Sequence, residues 1–173
     1  MPGLFIIAHA PLASALKLAA EHCFPEAAAQ LQVLDVQPDQ SSAEIEAQAR
    51  LLLARAQSAD QRGEALILTD VFGATPCNTV QRLADGQLVK VITGANVPML
   101  WRALNYADEP LDTLITRAVA GGTQGVMQIA TSRPQTQAIQ PSHDQDHLHH
   151  QQLVGPACPR LGQTHQTGQQ LPL

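Results

Sequence analysis

The architecture follows from one segment near the N-terminus, Leu4-Phe5-Ile6-Ile7-Ala8-His9-Ala10-Pro11. Its run of four apolar residues, two of them β-branched, predicts a short strand that is buried on both faces. Apolar residues then recur at helical spacing from Leu12 onwards, which predicts a helix directly after the strand. His9 therefore lies at the carboxyl end of a first strand and just ahead of a helix N-terminus. In open α/β sheets, ligands bind at that edge.

The position of His9 is compatible with several kinds of chemistry. Pro11 suits the first turn of the predicted helix, where no N–H donor is required. The free N–H groups and the positive dipole end of that helix would favour an anion held on or beside the His9 imidazole. From placement alone, His9 could be a phosphoryl acceptor, a general base or a loop residue without a chemical role.

The composition excludes several classes of protein. With 173 residues, 45% of them apolar and only 3% aromatic, the chain can form one domain with an aliphatic core. A net charge of -5 and ten scattered Lys and Arg residues leave no basic stripe, so we expect no nucleic-acid partner. No apolar run approaches the roughly 18 residues of a membrane span, and we expect neither a signal peptide nor membrane insertion. Three cysteines without metal-ligand spacing suit a reducing compartment, so we expect a cytoplasmic protein.

Strand and helix patterns alternate along the chain. Three more strands are predicted at 31–36, 64–70 and 88–93, and a last edge strand at 126–129. Helices are predicted from 12, from Ser41 or Ser42 to 56, around 78–83, up to 104, and at 112–119 with an end at Gly121-Gly122. This alternation predicts an α/β fold with a doubly wound, mostly parallel sheet, helices on both faces and a C-terminal antiparallel edge strand.

Three loops at the carboxyl edge of this sheet would bring His9, Asp70 and Gly94-Ala95-Asn96 into one crevice. Asp70 ends the third strand just before a glycine turn. It could simply cap nearby N–H groups. Alternatively, its carboxylate accepts a hydrogen bond from one ring nitrogen of His9, which would fix the tautomer and raise the nucleophilicity of the other nitrogen.

Two glycine-containing loops flank the predicted crevice. Gly73, Ala74 and Thr75 precede a helix opened by Pro76, and their N–H groups and hydroxyl could bind a phosphate. Thr75 could equally be an ordinary N-cap, and the two roles are compatible. The loop with Gly94 and Asn96 could form a second tight turn beside the site, a common feature between strand and helix.

Three segments together resemble a known family. They are Ile7-Ala8-His9, Leu68-Thr69-Asp70-Val71-Phe72-Gly73-Ala74-Thr75-Pro76-Cys77-Asn78 and Thr93-Gly94-Ala95-Asn96-Val97-Pro98-Met99-Leu100. They resemble the enzyme IIA domain of the mannose family, which belongs to the bacterial phosphoenolpyruvate:sugar phosphotransferase system. The resemblance covers about residues 3–130 in unbroken order. The two longer segments are the specific ones.

The resemblance implies a phosphotransferase with a phosphohistidine intermediate and without cofactor or metal. The phosphocarrier HPr would donate a phosphoryl group to His9, which Asp70 would orient. A IIB domain or a regulatory target would receive the group. Family members form dimers by exchanging a C-terminal edge strand, which 126–129 could supply here. Association with a membrane permease complex is also implied.

The same resemblance assigns roles to the two loops and shows two departures. Thr75 would stand near the phosphate where the family usually has serine, with Gly73 and Ala74 beside it. The second loop would line the site with Gly94, Asn96, Pro98 and Met99. Ala10 and Ala74 occupy positions where the family commonly has glycine, and either methyl could narrow the approach of a partner histidine.

Three alternatives remain at this stage. The phosphotransfer subunit of dihydroxyacetone kinase has a related domain, but the loop that begins at Gly94 argues against it. A signalling module could use phosphorylation to control a partner without sugar transport. A flavodoxin-like binding domain would involve no phosphorylation, and the sequence lacks an obvious nucleotide fingerprint.

Residues 132–173 differ in composition from the rest of the chain. They are rich in Gln, His, Pro and Thr with little periodicity, which predicts a disordered tail after a domain at 1–131. Advancing the reading frame by one nucleotide across 149–165 permits strings that resemble the phosphorylation motif of HPr. The tail is therefore interpreted as the product of DNA that overlaps a downstream HPr gene in another frame, and both a real gene overlap and a frameshift fit this hypothesis. A zinc or nickel site at its clustered histidines is the less favoured interpretation; the cluster is His143, His147, His149 and His150.

Overall fold

The computed structural model describes residues 1–129. They lie within one compact unit, Met1–Ala130. The elements in chain order are β1 Gly3–His9, α1 Leu12–Cys23, α2 Pro25–Ala29, β2 Gln32–Val36, α3 Ser42–Ser58, β3 Ala65–Thr69, α4 Thr75–Gln81, β4 Val89–Thr93, α5 Val97–Asn105 and α6 Leu111–Gln124. The predicted tail, its histidine cluster and the reading-frame hypothesis all concern residues outside the described part of the chain.

The sheet has four parallel strands in the order β2-β1-β3-β4. Its register pairs His9 with Val36 of β2, and Ile7 with Thr69 of β3. Thr69 in turn pairs with Thr93 of β4. The carboxyl ends of the strands therefore meet at one edge, as predicted.

Two apolar clusters pack on opposite faces of the sheet, so the doubly wound prediction is confirmed. Alternate residues of β1 divide between the clusters: Ile6 faces the cluster that contains α1, α2, α5 and α6. Ile7 belongs to the cluster that contains α3 and α4. The N-terminus of α3 shows why a helix starts there, because Ser41 and Glu44 form a complete capping box.

The last helix is longer than the sequence predicts, because α6 continues through Gly121 and Gly122 to Gln124. The two glycines are packing positions and do not end the helix. A Cβ at Gly121 would lie 2.2 Å from Cγ of Arg102, and one at Gly122 would lie 2.8 Å from Cε of Met99. The absence of side chains lets α6 approach α5 closely, which outweighs the low helix propensity of glycine.

The structure differs from the sequence prediction at two further elements. The short helix α2 was not predicted and begins with Pro25 at its first position. The predicted edge strand at 126–129 does not form in the single chain, where these residues belong to no strand. Val126 and Ile129 are instead exposed, by 79% and 83%.

Within residues 1–129, no helix is both long enough and apolar enough to cross a membrane.

Candidate active site

The structure brings His9 and Asp70 together at the carboxyl edge of the sheet. His9 is the last residue of β1, and Asp70 directly follows the neighbouring strand β3. Asp70 Oδ2 accepts a hydrogen bond from the backbone N–H of His9 at 2.9 Å. The same oxygen lies 2.6 Å from Nδ1 of the His9 ring. One carboxylate oxygen therefore holds both the backbone and the imidazole of the histidine.

The charge of Asp70 decides the tautomer of His9. The Asp70 side chain is only 8% exposed, and burial raises the pKa of its carboxyl. The hydrogen bonds from the His9 backbone, the His9 ring and the Val71 backbone together outweigh burial, so the pKa lies below its usual range. An ionised carboxylate can only accept, so Nδ1 carries a proton, and in the neutral ring Nε2 then keeps its lone pair. The His9 side chain is 55% exposed, which leaves this nitrogen open to a partner.

The other oxygen of Asp70 is held by its own strand end. Oδ1 accepts from the Val71 N–H at 2.8 Å and from the Thr69 hydroxyl at 3.4 Å. The Asp70 carbonyl accepts from the Gly94 N–H at 2.8 Å, which ties the loop after β4 to the loop after β3. The carboxylate that orients His9 is thus fixed from several sides.

The loop after Asp70 has a glycine where one is required. Gly73 has a φ of +81°, in the left-handed region that side chains rarely adopt. Ala74 has a φ of -80° in extended backbone and is the N-cap of α4, so its methyl group causes no backbone strain. Thr75 is the first helical residue and not the N-cap, contrary to one of the predicted roles. Thr75 is exposed to solvent.

The predicted second loop is built around Asn96. This side chain accepts from the Met99 N–H at 3.0 Å and caps α5. It also donates to the carbonyls of Gly94 at 3.1 Å and Gly122 at 3.4 Å. Met99 is buried, and a Cβ at Gly125 would lie 2.5 Å from Pro98. The packing of α5 against α6 therefore explains Asn96, Pro98 and Met99. Gly94 has a φ of +82° and lies beside the His9 site, because its N–H donates to the Asp70 carbonyl.

Sequence reasoning missed one polar residue near His9, namely Asp35 of β2. Its Oδ1 accepts from the N–H groups of Ala13 at 2.9 Å and Ser14 at 3.2 Å, in the first turn of α1. The expectation of free N–H groups for an anion beside His9 is therefore wrong for Ala13 and Ser14, because a carboxylate of the protein already occupies these two. The available signal was a helix whose N-cap is Pro11, a residue with no side-chain acceptor, next to a strand with an aspartate near its end.

No group of three or more His, Cys, Asp or Glu side chains within the described range could hold a metal ion.

Comparison with known proteins identifies the family of the chain. A family model described as "PTS system fructose IIA component" matches residues 3–118. The chain belongs to this family. The matched range of the IIA chain includes His9, Asp70, Thr75 and the loop that follows β4. A comparison with curated protein sequences finds no match.

Solved structures of the phosphotransferase system share the fold of this IIA chain. The mannose/sorbose-specific IIA subunit of Enterococcus faecalis aligns with a TM-score of 0.66 at 22% identity, over 76% of this chain and 97% of that one. The EIIA component of Streptococcus agalactiae gives 0.63 at 22% identity, over 74% and 97%. A sigma-54 interaction domain protein of E. faecalis gives 0.54 at 14% identity, over 71% and 91%. At these identities the likeness concerns the fold alone.

The family of the chain implies its general activity. IIA components of the phosphotransferase system are phosphotransferases, and the chain is one of these components.

Proposed function

We propose that the chain is a phosphocarrier that accepts a phosphoryl group from HPr on Nε2 of His9 and passes it to a IIB domain. The observation that carries this proposal is the 2.6 Å contact between Asp70 Oδ2 and His9 Nδ1, on a ring that is 55% exposed. That contact leaves one nitrogen with a free lone pair, and the exposure leaves room for a second protein.

The transfer requires no proton movement at the reacting nitrogen. The Nε2 lone pair attacks phosphorus, and the bond from phosphorus to the donor's histidine nitrogen breaks. The phosphorylated His9 ring keeps its proton on Nδ1 and gains positive character. Asp70 stabilises this charge through a charge-assisted hydrogen bond. Aligned positioning and electrostatics are the main requirements of phosphoryl transfer.

In this proposal, donors of the loop after β3 bind the phosphoryl oxygens. The Thr75 hydroxyl and the Gly73 N–H are the two donors we assign, since both residues are exposed. The Ala74 N–H already donates to the Val71 carbonyl at 3.3 Å, so it contributes less. The loop that contains Gly94, Asn96, Pro98 and Met99 supports this arrangement from the β4 side.

The direct test is transfer from phosphoenolpyruvate through enzyme I and HPr to the full chain. We expect wild type to acquire an acid-labile, base-stable label and His9→Ala to acquire none. His22→Ala is the matched control, because His22 is an exposed histidine at the far end of α1 and should be labelled as wild type is. A wild-type chain that takes no label from a competent HPr contradicts the proposal.

The acceptor is tested separately. Phosphorylated chain is mixed with a purified IIB domain, and we expect loss of label from His9 and its appearance on IIB. The second candidate acceptor is a regulatory target in place of IIB. We consider it because the chain shares its fold with a sigma-54 interaction domain protein. Stable phospho-His9 in the presence of several IIB domains would favour the regulatory role. In the transport role the chain acts in the cytoplasm, beside a permease complex.

We also propose a homodimer in which 126–129 of each copy pairs antiparallel with β4 of the other. β4 is an edge strand, and a groove of about 540 Å³ runs along it, lined in part by Lys90 and Val91. Val126 and Ile129 supply exposed apolar side chains that a single chain leaves uncovered. Sedimentation of the full chain should give a dimer that Val126→Asp with Ile129→Asp converts to a monomer. A monomeric wild type at micromolar concentration contradicts the exchange.

A further inference from the structure

Two aspartates hold the chain around His9, one from each neighbouring strand. Asp70, after β3, binds His9 itself. Asp35, on β2, binds the first turn of α1, which begins only three residues beyond His9. A backbone bond from Ala10 N–H to the Val36 carbonyl, at 3.0 Å, joins the same two segments.

The contact of Asp35 replaces a cap that α1 cannot make for itself. The N-cap position of α1 is Pro11, which makes no side-chain hydrogen bond to the helix. An N-cap oxygen ordinarily serves the N–H groups of the second and third helical residues, which here are Ala13 and Ser14. Asp35 supplies an oxygen to those two groups from a different strand. The start of α1 is therefore fixed to β2.

This remote cap constrains the histidine because the connection is short. Ala10 and Pro11 are the only residues between the end of β1 and the start of α1. A shift of the first turn of α1 must therefore be absorbed next to His9. Asp70 holds the His9 N–H and one ring nitrogen, but the direction of Nε2 also depends on the backbone that follows His9.

We propose that Asp35 is a positioning residue for phosphoryl transfer: by capping α1 from β2, it holds the backbone after His9 so that Nε2 is aligned with the incoming phosphorus. This inference rests on the proposed phosphocarrier function. A second consequence is that the two N–H groups bound by Asp35 are not available to the phosphoryl group. Misalignment of a reacting atom by about 1 Å can cost on the order of 100-fold in rate.

The test compares single-turnover transfer from phosphorylated HPr to the full chain in four proteins. Asp35→Ala removes the acceptor, and we expect the rate at saturating donor to fall about 10- to 100-fold, with the half-saturating donor concentration within about twofold of wild type. Asp35→Asn keeps an oxygen at the same place and should stay within about threefold of wild type. Asp85→Ala is the matched control, because Asp85 accepts three backbone N–H bonds in the turn before β4, at the opposite edge of the sheet. It should transfer at the wild-type rate.

The readouts separate positioning from mere loss of fold. Rates are measured at a temperature where circular dichroism shows every variant folded, and should Asp35→Ala not fold, Asp35→Ser takes its place with an expected loss of at least fivefold. A folded Asp35→Ala or Asp35→Ser chain that transfers at the wild-type rate overturns the inference. So does a loss that appears only as weaker donor binding, or one that Asn does not rescue. A wild type that takes no phosphoryl group overturns the proposed function itself, which is a distinguishable result.

Discussion

The substitution Asp70→Asn tests how the site selects its nucleophile. The amide keeps the shape of the carboxylate but exchanges one acceptor oxygen for an NH2 donor. If that donor faces Nδ1, the His9 ring must place its proton on Nε2 to accept the bond, and the lone pair that attacks phosphorus is lost. The contact at stake is a 2.6 Å bond to a carboxylate that is 8% exposed. A hydrogen bond to a charged group contributes about 1.5–3 kcal/mol, equivalent to about 10- to 150-fold in rate.

The inverted tautomer adds to that loss, so we expect single-turnover phosphorylation to fall by about 100- to 1,000-fold. The assay is rapid-quench transfer from labelled phospho-HPr, with ¹⁵N NMR of the His9 ring to read the tautomer directly. Asp85→Asn makes the same chemical change at a carboxylate remote from His9 and should leave the rate unchanged. Transfer by Asp70→Asn within threefold of wild type would refute the reasoning. A large loss with the proton still on Nδ1 would refute the tautomer explanation.

Three further outcomes are expected, two at Asp70 and one where α6 packs on α5. The folded pKa of Asp70 is lowered, so its contribution to stability is present above the unfolded pKa of about 3.9 and is lost as pH falls through the folded value. The difference in urea-unfolding free energy between wild type and Asp70→Asn should therefore shrink as pH falls below about 4, and a difference that does not shrink would contradict this role. Thr69→Val removes the hydroxyl that donates to Asp70 at 3.4 Å, so a ¹³C NMR titration should show the Asp70 pKa rise, and an unchanged value would contradict that role. Gly121→Ala should lower the free energy of unfolding by about 1–3 kcal/mol despite its better helix propensity, because the new methyl would meet Arg102 at 2.2 Å; a more stable variant would show that α5 and α6 can separate without cost.

The sequence predicted the sheet well because its strands are short, apolar and bounded by polar turns. β3 is buried along its whole length, and its predicted range of 64–70 differs from Ala65–Thr69 by one residue at each end. The helices on both faces follow from the same alternation. No single segment of the sequence determines strand order or register. The rules for connecting parallel strands nevertheless limit the possible topologies enough to predict His9 and Asp70 at the same edge of the sheet.

The features that escaped prediction depend on contacts between distant segments. Gly121 and Gly122 look like a helix end in sequence, and only their packing against α5 shows why the helix continues. Asp35 looks like one polar residue in an alternating strand, and its role depends on α1 lying beside β2. The 126–129 segment has a strand pattern, but among residues 1–129 it belongs to no strand.

The strand order also explains why the histidine belongs to β1. In the order β2-β1-β3-β4, the chain winds from β1 to β2 in one direction and from β3 to β4 in the other, so the direction changes between β1 and β3. The helix after β1 packs on one face of the sheet and the helix after β3 on the opposite face. In open α/β sheets, the ligand crevice lies between the loops of two such helices. A residue at the end of β1 borders this crevice and still has a strand on each side. β3 can then supply the carboxylate that sets the ring proton, while β2 supplies the one that fixes the following helix. An edge strand such as β4 could offer a histidine only one of these two supports, so both aspartate contacts together require an inner strand.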